Sequence, residues 1–266
     1  MSEVYELLNR IKARKPLVHH ITNWVTIYDC ANITRAIGAL PVMAHAIEES
    51  ADMVSIASAL VLNIGTLTPQ LIESMLHAGK AANQREIPIV LDAVGAGATK
   101  LRTDSAHRIM EEVKIDIIKG NSGEIGTLLG VEAEVKGVES MGVQGDPIEI
   151  AKTLAREKEA TVVTTGKQDI VSNGRDTYLV SNGHEMMGSI VGTGCMAASI
   201  IGCFAAVESD HAFASAAALV CFGIAGELAA KSDKSKGPGT YKEQFYDEIY
   251  HLDEEKVKKL ERFEKV

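Results

Sequence analysis

The sequence predicts an α/β fold with a mostly parallel central sheet and helices on both faces. Three observations predict it. Apolar runs rich in β-branched residues, such as "ALVLNIG", "IPIVLDAVGAG" and "ATVVTTG", alternate with amphipathic segments. Strands that read as near-continuous apolar runs are buried on both faces, as in a parallel sheet. The chain has 266 residues at 46% hydrophobic composition, enough for one large core, so residues 1–266 read as a single domain.

Taken in order, Val4, Leu7, Leu8 and Ile11 recur at helical spacing and give an amphipathic first helix. "PLVHHIT" reads as a strand, "TIYDCANITRAIGA" as a helix and "ALVLNIG" as a buried strand. "TLTPQLIESMLHAGKAANQRE" is a helix, with Thr68 as N-cap and Pro69 in its first position. "IPIVLDAVGAG" is a buried strand running into glycines, "TDSAHRIMEEVK" a helix, "IDIIKGN" a strand and "SGEIGTLLG" a short helix. "DPIEIAKTLAREKE" is a helix and "ATVVTTG" a strand, and Asn173-Gly174 centres a hairpin in "DIVSNGRDTYLVSNG". Two Ala-rich helices follow at about 195–208 and 210–230, and the charged tail "EEKVKKLERFEKV" reads as a surface helix or a frayed end. No linker, repeat or low-complexity tract divides the chain.

Charge and composition narrow the function classes. A formal net charge of -9 argues against a general nucleic-acid binder, though not against a nucleotide site, which needs only local donors. Cys30, Cys195, Cys203 and Cys221 form no C-x-x-C pair, disulfide framework or zinc spacing. A reduced, cytoplasmic protein is the simple reading. The N-terminus carries charge throughout and has no apolar signal core. Met186 to Val207 is uncharged and about long enough to span a bilayer. Its closely spaced glycines weaken a helix, so it reads as a buried strand end, loop and helix rather than a membrane segment.

Polar loops after the strands should gather at the C-terminal edge of the sheet, where ligands of such sheets bind. Three of them carry candidate chemistry. "VLDAVGAG" puts Asp92 at a strand end, "KGNSGEI" places Lys119, Asn121 and Glu124 together, and "VGTGC" puts Gly192, Thr193, Gly194 and Cys195 at a helix entrance. Together they supply carboxylates for Mg²⁺, a cation near phosphates and N–H donors around a transferring group, as phosphoryl transfer needs. Neither a G-x-x-x-x-G-K-[ST] loop nor a G-x-G-x-x-G after the first strand is present. Each residue has a structural alternative: Asp92 as a turn former, Glu124 as a helix-start carboxylate, Cys195 as a small core residue. His19 and His20 face opposite ways on a strand, so they make no ligand pair, and one reads as core and one as surface.

"GTGC" before an Ala-rich helix, the N-x-x-E of "KGNSGEI" and "VLDAVGAG" resemble the ribokinase-like superfamily. More closely, "HHITNWVT", "GALPVMAHAIEE", "LVLNIGTL", "PIVLDAVGAGAT" and "IIKGNSGEI" resemble the hydroxyethylthiazole kinases of thiamine salvage, over roughly residues 15 to 230. The resemblance implies a ribokinase-like fold and phosphorylation of the hydroxyl of 4-methyl-5-(2-hydroxyethyl)thiazole by ATP and Mg²⁺. It implies a homotrimer with thiazole sites at subunit boundaries, and no nucleic-acid or membrane partner. Met43 in "PVMA", Asn23 in "ITNW" and Gly192 would contact the thiazole alcohol. Lys119, where the family often has arginine, would approach the ATP phosphates together with Thr165, Thr193 and Gly194. Asp92 and Glu124 would hold Mg²⁺, Glu124 directly or through water.

Many ribokinase-like enzymes end the glycine motif with an aspartate that accepts the alcohol proton. Cys195 stands there instead, as in the thiazole kinases, and is expected to be drawn toward thiolate by the helix N-terminus. Three alternatives stay open: a kinase for another small alcohol such as a hydroxymethylpyrimidine, an ATP-dependent dehydratase of hydrated nicotinamide nucleotides, and a non-catalytic nucleotide-binding trimer. Aspartate would be expected in the glycine motif of the dehydratase, so Cys195 argues against it.

Overall fold

The computed structural model describes residues 2–131, 133–136, 139–143 and 145–266. The chain opens with α1 (Glu3–Arg14), capped by the Ser2 hydroxyl, and β1 (Leu17–Ile21). Next come α2 (Ile27–Ala36), β2 (Leu40–Val42), α3 (Ile47–Val54) and β3 (Ala59–Asn63). The helix α4 (Pro69–Gln84) starts where Thr68 caps it, ahead of β4 (Ile89–Asp92). Then follow α5 (Lys100–Glu112), β5 (Ile117–Asn121), α6 (Ser122–Leu129), β6 (Ala133–Lys136), β7 (Glu139–Val143) and α7 (Pro147–Lys158). β8 (Thr161–Thr165), β9 (Asp169–Ser172) and β10 (Thr177–Val180) lead to a 3₁₀ turn at Glu185–Ser189. The chain ends with α8 (Thr193–Ala205), α9 (His211–Lys231), α10 (Pro238–Tyr250), α11 (Glu254–Leu260) and β11 (Phe263–Lys265).

Nine of the described strands form one sheet in the order β11-β10-β9-β8-β5-β4-β3-β1-β2, and β6 pairs with β7 apart from it. The pairings from β2 through β8 are parallel, and those from β8 to β11 are antiparallel. The hairpin between β9 and β10 is held by Asn173 Oδ1, which accepts from Arg175 N and Asp176 N, with Gly174 at φ 85. Alternate strand residues serve two cores. Val18, Val61, Val90, Ile117 and Val163 pack beneath α1, α2, α8, α9 and α10. Leu60, Leu62, Leu91, Ile118 and Val162 pack beneath α4 to α7.

Burial on both faces corrects the histidine expectation. His19 and His20 are both fully buried, because a side chain turned away from one core enters the other. His19 Nε2 lies 2.8 Å from Ala44 O and His20 Nδ1 3.1 Å from Val18 O. Burial lowers the pKa of His20 to about 3. The tail reading is corrected too: after α11 the chain leaves the helix and adds β11 to the sheet edge. β2, α3, β6, β7 and α10 go beyond the sequence reading. The uncharged 186–207 segment is a 3₁₀ turn followed by α8. α9 is long and apolar enough to cross a membrane, yet 89% of its most apolar window is buried inside the fold.

α8 lies directly on the sheet because Gly202 has no side chain. A Cβ there would sit 2.7 Å from Val61 Cγ2 and 3.4 Å from Val18 Cγ1. Gly202→Val must therefore push α8 off β1 and β3. Urea unfolding should show a loss of about 1–3 kcal/mol, the usual cost of overpacking a core; a variant as stable as the parent would mean that α8 is not seated this closely.

Candidate active site

The parallel register brings the polar strand ends together. Asn63 pairs with Asp92, and Asp92 with Lys119, across three neighbouring strands. Two residues before each, Val61, Val90 and Ile117 point into the core beneath α8. Side chains two apart on a strand share a face, so Asn63, Asp92 and Lys119 extend that core face with polar groups just beyond its apolar edge. Thr165 follows the same parity on β8 and pairs with Asn121.

These groups form one buried chain of contacts. Lys119 Nζ lies 2.9 Å from Asp92 Oδ1, and Asn63 Nδ2 donates to Asp92 Oδ2 at 2.6 Å. Asn23 Nδ2 donates to Asn63 Oδ1 at 2.9 Å and to Cys195 Sγ at 3.3 Å. Burial works against the charge of Lys119, but the Asp92 and Glu124 carboxylates outweigh it and hold the ammonium above its ordinary pKa. Asp92 is 0% exposed, and the ion pair and the Asn63 amide occupy both of its oxygens.

α8 begins over this chain. Its N-cap, Gly192, has φ 95, and a Cβ there would lie 2.5 Å from Thr26 Cγ2. Glycine is thus required both for the left-handed backbone and for the close approach. Gly194, in the first turn, comes within 3.3 Å of Lys119 Nζ when a Cβ is built on it. The first turn of α8 thus lies against the cation, and the N–H groups at a helix N-terminus, which have no partner within the helix, make such a place suited to an anion. On the other side of Lys119, Glu124 closes a capping box. Its Oε2 accepts from Asn121 N at 2.7 Å, and Asn121 Oδ1 accepts from Glu124 N at 2.9 Å. Glu124 Oε1 accepts from Gly95 N at 2.6 Å. Burial pushes its carboxyl above the ordinary range, against Lys119 and these donors.

A cleft of about 1020 Å³ opens beside the α8 entrance. Thr165, Thr193 and Gly194 line it, with Asn121 and Asp169 near the strand ends and Leu219 and Phe222 from α9. Asn23, Gly192 and Cys195 stand outside its lining, where Asn23 Nδ2 meets the Cys195 thiol and Gly192 approaches Thr26. Met43 is half-buried just past the end of β2, on the same side of the sheet edge as the β1 loop that carries Asn23. Among the described residues, no side-chain hydrogen bond joins Met43 to the chain from Cys195 to Lys119.

One expectation reverses. Cys195 occupies the third residue of α8, yet its thiol is held above its ordinary pKa, by burial first and then by the negative charge of Asp92. Lys119 and the first turn of α8 do not overcome these, so the side chain is a neutral thiol here. Two site residues escaped the sequence reading. Asn63 could have been found as the polar residue ending an otherwise apolar strand. Arg102 joins the loops after β3 and β4 through the carbonyls of Ile64, Val94 and Gly65, and no sequence signal marks it.

A parallel sheet whose C-terminal edge holds a buried Lys–Asp pair under a glycine-entered helix, beside a nucleotide-sized cleft, defines a ribokinase-like kinase. The fold matches that of the Staphylococcus aureus pyridoxal kinase in complex with AMP-PCP and pyridoxal, at TM-score 0.66 over 94% of this chain and 98% of that one, with 14% identity. The pattern of the hydroxyethylthiazole kinase family matches residues 8–255, and the chain belongs to that family. It is 60% identical to the hydroxyethylthiazole kinase of Methanosarcina acetivorans over 97% of this chain and 98% of that protein. It superimposes on the structure of the Pyrococcus horikoshii hydroxyethylthiazole kinase at TM-score 0.91, with 43% identity and both chains fully covered.

Asp169 gives the cleft a pH-dependent group. Its Oδ1 accepts from Gly166 N at 2.9 Å, and burial pushes its carboxyl up to about 7. An unfolded aspartate titrates near ~3.9, so between these values the folded chain binds the extra proton and stability falls as pH rises. Asn keeps the acceptor and carries no charge. The melting temperature of Asp169→Asn relative to the parent should therefore be higher at pH 8 than at pH 5. An equal difference at both would show that Asp169 does not titrate in this window.

Proposed function

We propose that this enzyme transfers the γ-phosphoryl group of ATP to the hydroxyl of 4-methyl-5-(2-hydroxyethyl)thiazole. The observation that carries the reading is the α8 entrance. It borders the cleft with Thr193 and Gly194, meets Asn23 at Cys195 and lies against Lys119 of the buried Lys119–Asp92 pair. ATP occupies the cleft, its phosphates meeting Lys119, the N–H groups of Thr193 and Gly194, and the Thr165 hydroxyl. The thiazole alcohol lies against Asn23, Met43 and Gly192, with its hydroxyl toward Cys195.

Both proposed Mg²⁺ residues have their carboxylate oxygens engaged in hydrogen bonds or the ion pair. Each oxygen keeps a further lone pair, so Asp92 and Glu124 fit a cation held largely through water. Mg²⁺ there supplies neutralisation of the phosphate charge. The substrate oxygen attacks the γ-phosphorus as the bond to the bridging oxygen of ADP breaks, and the hydroxyl proton passes to the oxygens of the transferred phosphoryl group and from there to solvent. Lys119 and the α8 N–H groups stabilise the charge on the transferring group. Cys195 accepts a hydrogen bond from the hydroxyl and orients it; as a neutral thiol it contributes less than the anion site. The four thiols are free, in keeping with an enzyme of the reducing cytoplasm.

Assembly completes the proposal. Trp24, Val25 and Tyr28 beside Asn23 are 56%, 65% and 74% exposed, and Val191 beside Gly192 is 73% exposed. Apolar side chains this exposed around one flank of a site suit a subunit boundary, and a homotrimer places the thiazole pocket there.

Incubation with ATP, Mg²⁺ and a panel of small alcohols should yield the thiazole phosphate by product mass, and preference for another alcohol would reassign the substrate. Light scattering should give about three times the 28.5 kDa chain mass; an active monomer would sink the shared site. Cys195→Ala should lower kcat by roughly 10- to 10³-fold, near the general-base range, with ATP binding little changed. Cys195→Asp, which puts carboxyl oxygens where the substrate hydroxyl can donate to them, should be clearly more active than Cys195→Ala. Equal activity of the two folded variants would leave Cys195 without a role as acceptor for the substrate hydroxyl.

A further inference from the structure

We propose that Asn63 is a positioning residue for phosphoryl transfer: it passes the polarity of the buried Lys119–Asp92 pair on to Asn23, and so turns an Asn23 N–H toward the Cys195 sulfur. The inference rests on the kinase reading above. Asn63 is bonded to Asp92 and Asn23, and its amide also acts directly, though weakly, on the Cys195 thiol.

A primary amide has a donor end and an acceptor end of nearly equal shape, so its orientation is set by its partners. Here the partners leave no choice. Lys119 can only donate, and an ionised Asp92 can only accept. At 2.6 Å from Asp92 Oδ2, Asn63 must present its NH₂ group. Its Oδ1 then faces the other way and accepts from Gly65 N at 3.0 Å, a backbone donor that fits this orientation alone. Oδ1 also faces the Asn23 amide, which must answer with its own NH₂ at 2.9 Å. The Asn23 oxygen is turned to Val25 N and Thr26 N, both at 3.0 Å, and to the Thr26 hydroxyl at 3.1 Å. The second Asn23 N–H reaches Cys195 Sγ at 3.3 Å.

Flipping either amide would oppose like groups at several contacts. Asn63 and Asn23 are 1% and 3% exposed, so solvent cannot repair the mismatch, and unmade buried hydrogen bonds are costly. The consequence falls on the reacting hydroxyl. With an N–H of Asn23 on it, the sulfur keeps a lone pair for the substrate proton. With Asn23 reversed, an amide oxygen would stand beside the sulfur and compete for that proton, pulling the hydroxyl out of line.

The test is a double-mutant cycle in the full-length enzyme with Asn23→Ala, Asn63→Ala and both together. It is read by steady-state kinetics with the thiazole alcohol and ATP–Mg²⁺. Each single change should lower kcat/KM for the alcohol by about 10- to 100-fold, the scale of a misplaced reacting group. The KM for ATP should stay within about twofold of the parent's. Because Asn63 acts chiefly by orienting Asn23, more than by its own weak approach to Cys195, the double variant should fall within about twofold of Asn23→Ala. Should Asn63→Ala not fold, Asn63→Ser, which leaves a hydroxyl near Asp92 but is too short to hold Asn23, enters the same cycle. Losses that multiply in the double variant, or parent-like kinetics for the Asn63 variant, overturn the inference and leave the kinase reading standing. A parent enzyme that forms no phosphate ester overturns the kinase reading, and this inference with it.

Discussion

Two opposite charges, Lys119 Nζ and Asp92 Oδ1, meet 2.9 Å apart where the sheet and α8 leave almost no room for solvent. Taking each ion out of water costs several kcal/mol, which the mutual attraction offsets only with good geometry and further hydrogen bonds. The parallel register provides that geometry, since Asn63, Asp92 and Lys119 stand side by side on adjacent strands. Removing either partner would strand a buried charge at a cost of about 3–5 kcal/mol. An apolar pair of the same volume would serve the fold as well. The ion pair is best understood as a fixed local field: a cation aimed at the α8 entrance, and an anion that orders the amides beyond it.

α8 is the second constraint, because its position decides whether that field is useful. Gly202 lets it settle on the sheet, and Gly192 lets its first turn start against Thr26. The helix entrance then borders the cleft with Thr193 and Gly194 and meets Asn23 through the Cys195 thiol. A lysine in place of arginine suits this crowded spot. A single ammonium can sit between Asp92 and the helix without the planar fork of a guanidinium.

Much of the fold was legible in the sequence because burial on both faces writes itself as unbroken apolar strands, as in residues 59–62 and 89–91. Capping was legible for the same local reason: Thr68 before Pro69, and Asn121 three residues ahead of Glu124. Short elements were not. β2 has three residues, and β11 is recognisable only once β10 offers it an edge. α10 was detectable in principle, with Pro238 in its first turn and Tyr241, Phe245 and Ile249 four apart on its buried face. At the site, motif spacing brought out Asp92, Lys119, Glu124 and Cys195, but Asn63 acquires meaning only when three strands are set in register. The thiol misled for a different reason. The helix end was visible in the sequence, whereas the burial and the neighbouring carboxylate that outweigh it are properties of the packed structure.

The antiparallel end of the sheet ties the cleft to a distant part of the chain. Asn182 and Gly183 line the cleft, and Asn182 Oδ1 accepts from Arg262 N, 80 residues downstream. The Arg262 guanidinium also donates to Ser181 O and to Glu227, which in turn accepts from Gly183 N. During synthesis this wall therefore leaves the ribosome long before the segment that fastens it. Closing this wall of the cleft therefore waits for Arg262, whose backbone and guanidinium hold Ser181, Asn182 and Glu227 in place.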